Sequence, residues 1–239
     1  MGAVTGPVST KGAVLAVVSA VAVLASTTTG CGSETPGRPV AAQQSTITEY
    51  VSAVLATLLP EPSQFPARYP AVVLPQEAAA QAVGDLTGVP RGATVLPRDC
   101  APPPQDFGPD RTAVAVGTDN DSRATLTVEL TRTMVPLSVL REQLARCGQM
   151  RVSATGTTTS VRTELQDPPR TDAEEALALR RTVVPDAGRT GLTESMYTLV
   201  GQVGDVRITV TYMTFSDAEP DTAAVREVFA TTVEKVRAA

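Results

Sequence analysis

Residues 195–214 read SMYTLVGQVGDVRITVTYMT, and this stretch decides the fold. Two strands, 195–203 and 206–214, flank Gly204-Asp205, a two-residue turn signal, so the stretch is a tight β-hairpin. A second hairpin lies upstream. Residues 111–117 (RTAVAVG) alternate, 118–122 (TDNDS) turn, and 124–131 (ATLTVELT) alternate again, with Leu126, Val128 and Leu130 on one face. Glu129 then faces outward. Between the hairpins, 150–152 and 157–165 form two strands or one long bent strand, with Gly156 at the break. Residues 176–184 (ALALRRTVV) are ambiguous. Thr171-Asp172-Ala173-Glu174 resembles a capping box that would start a helix, whereas the alternation of Leu177 and Leu179 and the β-branched end favour a strand.

Helical spacing marks the rest. In 47–59 (ITEYVSAVLATLL), Ile47, Val51, Val54, Leu55 and Leu58 share one helical face, and Pro60 stops the run. Residues 76–86 read as a short helix behind Pro75 and before Gly88. Residues 136–147 (PLSVLREQLARC) put Leu137, Leu140 and Leu144 together. Pro220-Asp221-Thr222 opens a final helix whose apolar face is Val225, Val228, Phe229, Val233 and Val236. The proline-rich stretches 60–70 and 89–109 read as irregular. The expected fold class is α+β, a single antiparallel β-sheet of about five to seven strands flanked by helices, with one disulfide.

The N-terminus supplies an address. Lys11 precedes an apolar run, 12–26 (GAVLAVVSAVAVLAS), and Thr28-Thr29-Gly30-Cys31 follows. This order reads as a lipoprotein export signal that makes Cys31 the lipidated, palmitate-bearing first residue of the mature chain. Thr28 stands where an aliphatic residue is usual. An ordinary secretory signal or a retained membrane helix are the alternatives, although the run is shorter than the roughly 20 residues a span needs. The expected organisation is a signal peptide at 1–30, a flexible tether at 31–46 rich in Ser, Pro, Gly and Gln, and one extracytoplasmic domain at 47–239.

Composition narrows the chemistry. The chain has 239 residues and a formal charge of −5, which becomes −6 on losing Lys11; this disfavours nucleic acid as a partner. Aromatic residues make up 3%, so stacking platforms are scarce. Histidine is absent, which excludes Ser-His and Cys-His nucleophiles and His-liganded zinc. No catalytic residue, metal site or cofactor is expected. With Cys31 carrying lipid, Cys100 and Cys147 are most simply a disulfide in an oxidising space, and their distance in sequence does not suit a redox or metal pair. That bond would staple the helix end at Cys147 to the proline loop PRDCAPPP. Asp119 and Asp121 read as solvated turn acids, because the glycine and distal glutamate of a calcium loop do not follow.

The order of lipobox, PRDCAPPP, strand pair, LARC, GDVRITV and VREVFATTVEKVR resembles uncharacterised lipoprotein domains of mycobacteria and, more distantly, the extracellular sensor domain of PknH-type receptor kinases. The resemblance implies an antiparallel sheet with flanking helices and, in the sensor type, a ligand cleft. The sensor type has two disulfides where this chain has cysteines for one. Three functions compete. The favoured one is a non-catalytic binding or sensor-like module on the outer face of the cell membrane, with an envelope protein, lipid or glycan as ligand. The second is a lipid or glycolipid carrier with an apolar cavity. The third is a hydrolase using acids alone, for which no pair is named, since acids such as Asp205 and Glu129 have simpler readings as a hairpin turn residue and an outward-facing strand residue.

Overall fold

The computed structural model describes residues 46–186, 192–216 and 218–239. Cys31, the export signal and nearly all of the proposed tether lie outside the described residues. The architecture is one antiparallel sheet of nine strands with helices on both faces. The strands are β1 (Ala71–Val73), β2 (Thr94–Leu96), β3 (Thr112–Thr118), β4 (Thr125–Arg132), β5 (Gln149–Ala154), β6 (Thr157–Gln166), β7 (Glu175–Pro185), β8 (Glu194–Val203) and β9 (Val206–Thr214). Their spatial order is β1-β3-β4-β9-β8-β7-β6-β5-β2. The helices are α1 (Leu55–Leu58), α2 (Gln76–Thr87), α3 (Leu137–Arg146) and α4 (Thr222–Arg237).

Nine strands correct the expected five to seven. The two unforeseen strands, β1 and β2, have three residues each and sit at the two edges, β1 on β3 and β2 on β5. Each adjoins a proline, Pro70 or Pro97. A proline lacks an N–H, so it can border an edge strand but not continue one in the middle of a sheet. Three residues are also too few to show a period.

The hairpins follow the sequence. Val203 pairs with Val206 across Gly204, whose φ of 51° lies in the left-handed region that a two-residue turn requires. Gln149–Ala154 and Thr157–Gln166 are two separate strands turning at Thr155 and Gly156, both with positive φ. Residues 175–185 form a strand, and Glu174 does not cap a helix. Its backbone N–H donates to Gln202 O at 2.9 Å, and its carboxylate accepts from Gly204 N at 3.2 Å.

The expected helix over 47–59 contracts to Leu55–Leu58. Tertiary partners claim the backbone that a helix would have used. Val51 N donates to Asp205 at 2.8 Å and Leu55 N to Asp110 at 2.6 Å, while Arg132 donates to the carbonyls of Val51 and Ala53. The apolar side chains still pack: Val51, Leu55, Leu58 and Leu59 are buried, whereas Val54 is 54% exposed.

The two faces of the sheet differ. Leu126, Val128, Leu130, Leu199, Ile208 and Val210 point to one face and meet Val225, Val228, Phe229 and Val233 of α4 in a continuous apolar core. Asp221 caps α4 by accepting from Ala224 N at 3.0 Å. On the opposite face the apolar contacts break into three small clusters. One joins α2 to β3 through Val83 and Val114; another joins α3 to β7 and β8 through Leu137, Leu177 and Val200; the third surrounds Cys100 and Cys147. What lies between these clusters is polar.

Candidate functional site: a polar-floored cavity

Period-two alternation places Thr127, Glu129 and Thr131 of β4 opposite the face that carries Leu126, Val128 and Leu130. Antiparallel register aligns them with Thr211, Thr209 and Arg207 of β9, and Thr211 and Thr209 with Thr198 and Val200 of β8. Thr198 in turn pairs with Leu179, two residues before Arg181 on β7. Apart from Thr127, these residues floor a cavity of about 400 Å³. Leu140 and Leu144 of α3 form one wall, Leu86 and Thr87 of α2 another, and residues 102–106 pass over it as a strap. A second cavity of about 360 Å³ lies on the α2 side of the same strap and shares Pro102, Pro103, Pro104 and Gln105 with the first.

The strap is fixed at both ends. Cys100 is bonded to Cys147 at the end of α3, as the cysteine count implied. At the other end Thr112 Oγ1 donates to Asp106 O at 2.8 Å, and Arg111 pairs with the Asp106 carboxylate at 3.1 Å. Between these anchors the Gln105 side chain reaches down to the floor, donating to Glu129 and to Thr131 Oγ1.

Glu129 is the acid of the floor, and it does not face solvent. It is 9% exposed and also accepts from Thr131 Oγ1 at 3.0 Å. Burial raises its pKa above the ordinary range, against the opposing pull of Gln105, Thr131 and the Arg207 charge. Arg207 donates to Gln202 Oε1 at 3.2 Å; burial lowers its pKa, while Glu129 and Glu175 act against that shift. Arg181 donates from Nε to Thr163 Oγ1 at 3.1 Å and from Nη1 to Leu86 O at 2.8 Å. Burial pushes its pKa down to about 10, which leaves it a cation at neutral pH. The Thr198 and Thr211 hydroxyls lie 3.0 Å apart at the centre.

The candidate acids do not assemble as a pair. Glu129 faces the cavity, whereas Asp205 belongs with Arg132 on the α4 side, at 2.9 Å. Asp205 is a turn residue, as its sequence position implied, but it is 3% exposed and does structural work. Asp121 is exposed, whereas Asp119 is buried. The Asp119 carboxylate accepts from Ser122 Oγ, Asp121 N and Arg68, at 2.6, 3.0 and 2.7 Å. These hydrogen bonds, that of Ser122 foremost, hold Asp119 well below the usual carboxylate range. Its oxygens are engaged by the protein. Among the described residues no three His, Cys, Asp or Glu side chains group as metal ligands.

Sequence reading missed the floor itself. The available signal was a set of threonines and charges, Glu129, Thr131, Arg207, Thr209 and Thr211, alternating with the aliphatic face of strands β4 and β9.

No protein-family model and no curated protein matches the chain. Among solved structures, it is similar to an uncharacterised protein of Mycobacterium smegmatis, the Rv0999 ortholog. That likeness has 21% identity and a TM-score of 0.44, covering 73% of this chain and 92% of that one. It is also similar to the extracellular domain of PknH from Mycobacterium tuberculosis, at 12% identity and a TM-score of 0.45, covering 80% of this chain and all of that one.

Proposed function

We propose that this chain is a non-catalytic binding module of the cell envelope, held on the outer face of the membrane by lipid on Cys31, and that the cavity under residues 102–106 holds its ligand. The observation that carries the reading is the cavity: about 400 Å³, with a floor of hydroxyls and charges and a wall of Leu140 and Leu144. That size and mixture suit a small ligand positioned by a few polar groups. The envelope address rests on the apolar run before Cys31 and on the Cys100–Cys147 bond, which is at home in an oxidising compartment. Among the described residues no helix is long and apolar enough to cross a membrane.

A wholly apolar guest fits poorly. Hydrocarbon laid on the Thr198–Thr211 pair, Glu129 and Arg181 would take polar groups from water and give nothing back. The module reading therefore stands ahead of a carrier for lipid chains alone.

The test is a thermal-shift panel of small neutral, anionic and cationic amphiphiles on the full chain. At least one class raises the melting temperature, because a ligand bound only by the folded state stabilises it. Thr209→Phe, which fills the cavity from its floor, removes the shift. A panel that moves nothing contradicts the reading. Growth with labelled palmitate tests the anchor separately: label appears in the wild type and disappears in Cys31→Ser.

A further inference from the structure

Four arginines line the cavity, and two have carboxylates at ion-pair distance. Arg111 pairs with Asp106 at 3.1 Å. Arg132 turns to the other face, with Asp110 and Asp205 each at 2.9 Å. Arg207 has no carboxylate at ion-pair distance among the described residues but lies in the field of Glu129 and Glu175. Arg181 differs. Among the described residues no carboxylate comes within ion-pair distance of it, and burial alone perturbs it. Arg181 is half-buried, and a partly desolvated charge without a counter-charge costs a fold stability.

The Arg181 guanidinium has five N–H groups. Those on Nε and Nη1 serve Thr163 and Leu86, whereas Nη2 has no partner among the described residues. No sealed side-chain polar atom lacks a partner in the described structure, so Nη2 keeps some exposure, and Arg181 is among the residues that line the cavity. Thr198, paired with Leu179, is the diagonal neighbour of Arg181 across β7 and β8. Its hydroxyl and that of Thr211 share one hydrogen bond, which leaves one of their two hydroxyl hydrogens to give. The cavity thus offers guanidinium and hydroxyl donors on one floor, where the one acid diagonal to Thr211, Glu129, is already engaged by Gln105 and Thr131. The lining also carries the aliphatic side chains of Leu179, Val200, Leu140 and Leu144.

We propose that the cavity takes a small amphipathic anion, its oxyanion head on Arg181 and the Thr198–Thr211 hydroxyls and its short hydrocarbon body against Leu140, Leu144 and Val200. This rests on the reading of the cavity as a binding site and adds the chemical class. At about 30 Å³ for each water-sized unit, the cavity holds on the order of a dozen non-hydrogen atoms. That is one medium-length chain with a carboxylate, not a two-chain lipid.

The experiment is calorimetric titration of the full chain with octanoate, octanol, octylammonium and acetate. Octanoate binds about ten-fold or more tighter than each of the others, as a charge-assisted hydrogen-bond set on top of apolar burial requires. Arg181→Gln removes the preference of octanoate over octanol. Thr198→Val weakens octanoate several-fold without touching the guanidinium. If Arg181→Gln fails to fold, the headgroup series on the unaltered chain and the Thr198→Val result still decide. Octanol or octylammonium binding as tightly as octanoate overturns the anion assignment and leaves the cavity reading standing. Acetate binding as tightly overturns the amphipathic part. If none of the four binds, the cavity reading and the assignment fall together.

Discussion

Arg132 Nη1 lies 2.9 Å from Asp205 Oδ2, with both side chains 4% exposed. The pair joins the end of β4 to the β8–β9 turn and holds the incoming chain: Asp205 accepts from Val51 N, and Arg132 donates to the carbonyls of Val51 and Ala53. Tyr50 stacks on the guanidinium, its ring centroid 4.7 Å away. Asp205→Asn takes away one of the two counter-charges of Arg132 and leaves Asp110. It is expected to cost about 1–3 kcal/mol in urea unfolding. Arg132→Lys keeps the charge but not the planar fork, and falls between that variant and the wild type.

Glu129 makes stability depend on pH in a known direction. Its folded pKa is raised, so the fold favours the protonated form. The unfolded chain releases that proton near the ordinary glutamate value of about 4.3. As pH rises from there through the folded value, this group's contribution to stability falls. Glu129→Gln mimics the protonated acid and still offers an oxygen to Gln105 and Thr131. It melts higher than the wild type at pH 7, with a gap that narrows toward pH 4; a gap that widens on acidification refutes the assignment.

The disulfide closes a loop with a sequence separation of 47. On the chain-entropy account, the double variant Cys100→Ser, Cys147→Ser loses roughly 4 kcal/mol, read as a lower urea midpoint. Because the bond anchors the strap, the same variant binds octanoate more weakly at a temperature where it remains folded.

Gly201 is packed against Phe229 of α4. A Cβ built there meets Phe229 Cζ at 2.8 Å and Ala173 Cβ at 3.1 Å. Gly201→Ala is expected to cost about 1–3 kcal/mol by overpacking. The double variant with Phe229→Leu recovers part of that loss, since the two side chains compete for one space. Equal loss in single and double variants counts against the clash.

How much of this was legible depended on whether the cause was local. The hairpin at Gly204 was readable because turn chemistry and period two agree within a few residues, and α4 because Asp221 and its apolar stripe agree. Strands β1 and β2 were not, because pairing with β3 and β5 defines them rather than any pattern of their own. The segment before Leu55 carries helical spacing, yet Asp205, Asp110 and Arg132, more than fifty residues away, hold its backbone. Glu129 illustrates the same point at the site. Alternation puts it opposite Leu126 and Leu130, but only the arrival of Gln105 and α3 makes that opposite face an interior.

The most direct test of the account is methyl NMR of the chain titrated with octanoate. The account predicts shifts at Leu140, Leu144, Leu179 and Val200, which line the cavity, and none at Val225, Val228 and Val233 in the α4 core. Shifts confined to the α4 side, or none at any octanoate concentration, would contradict it.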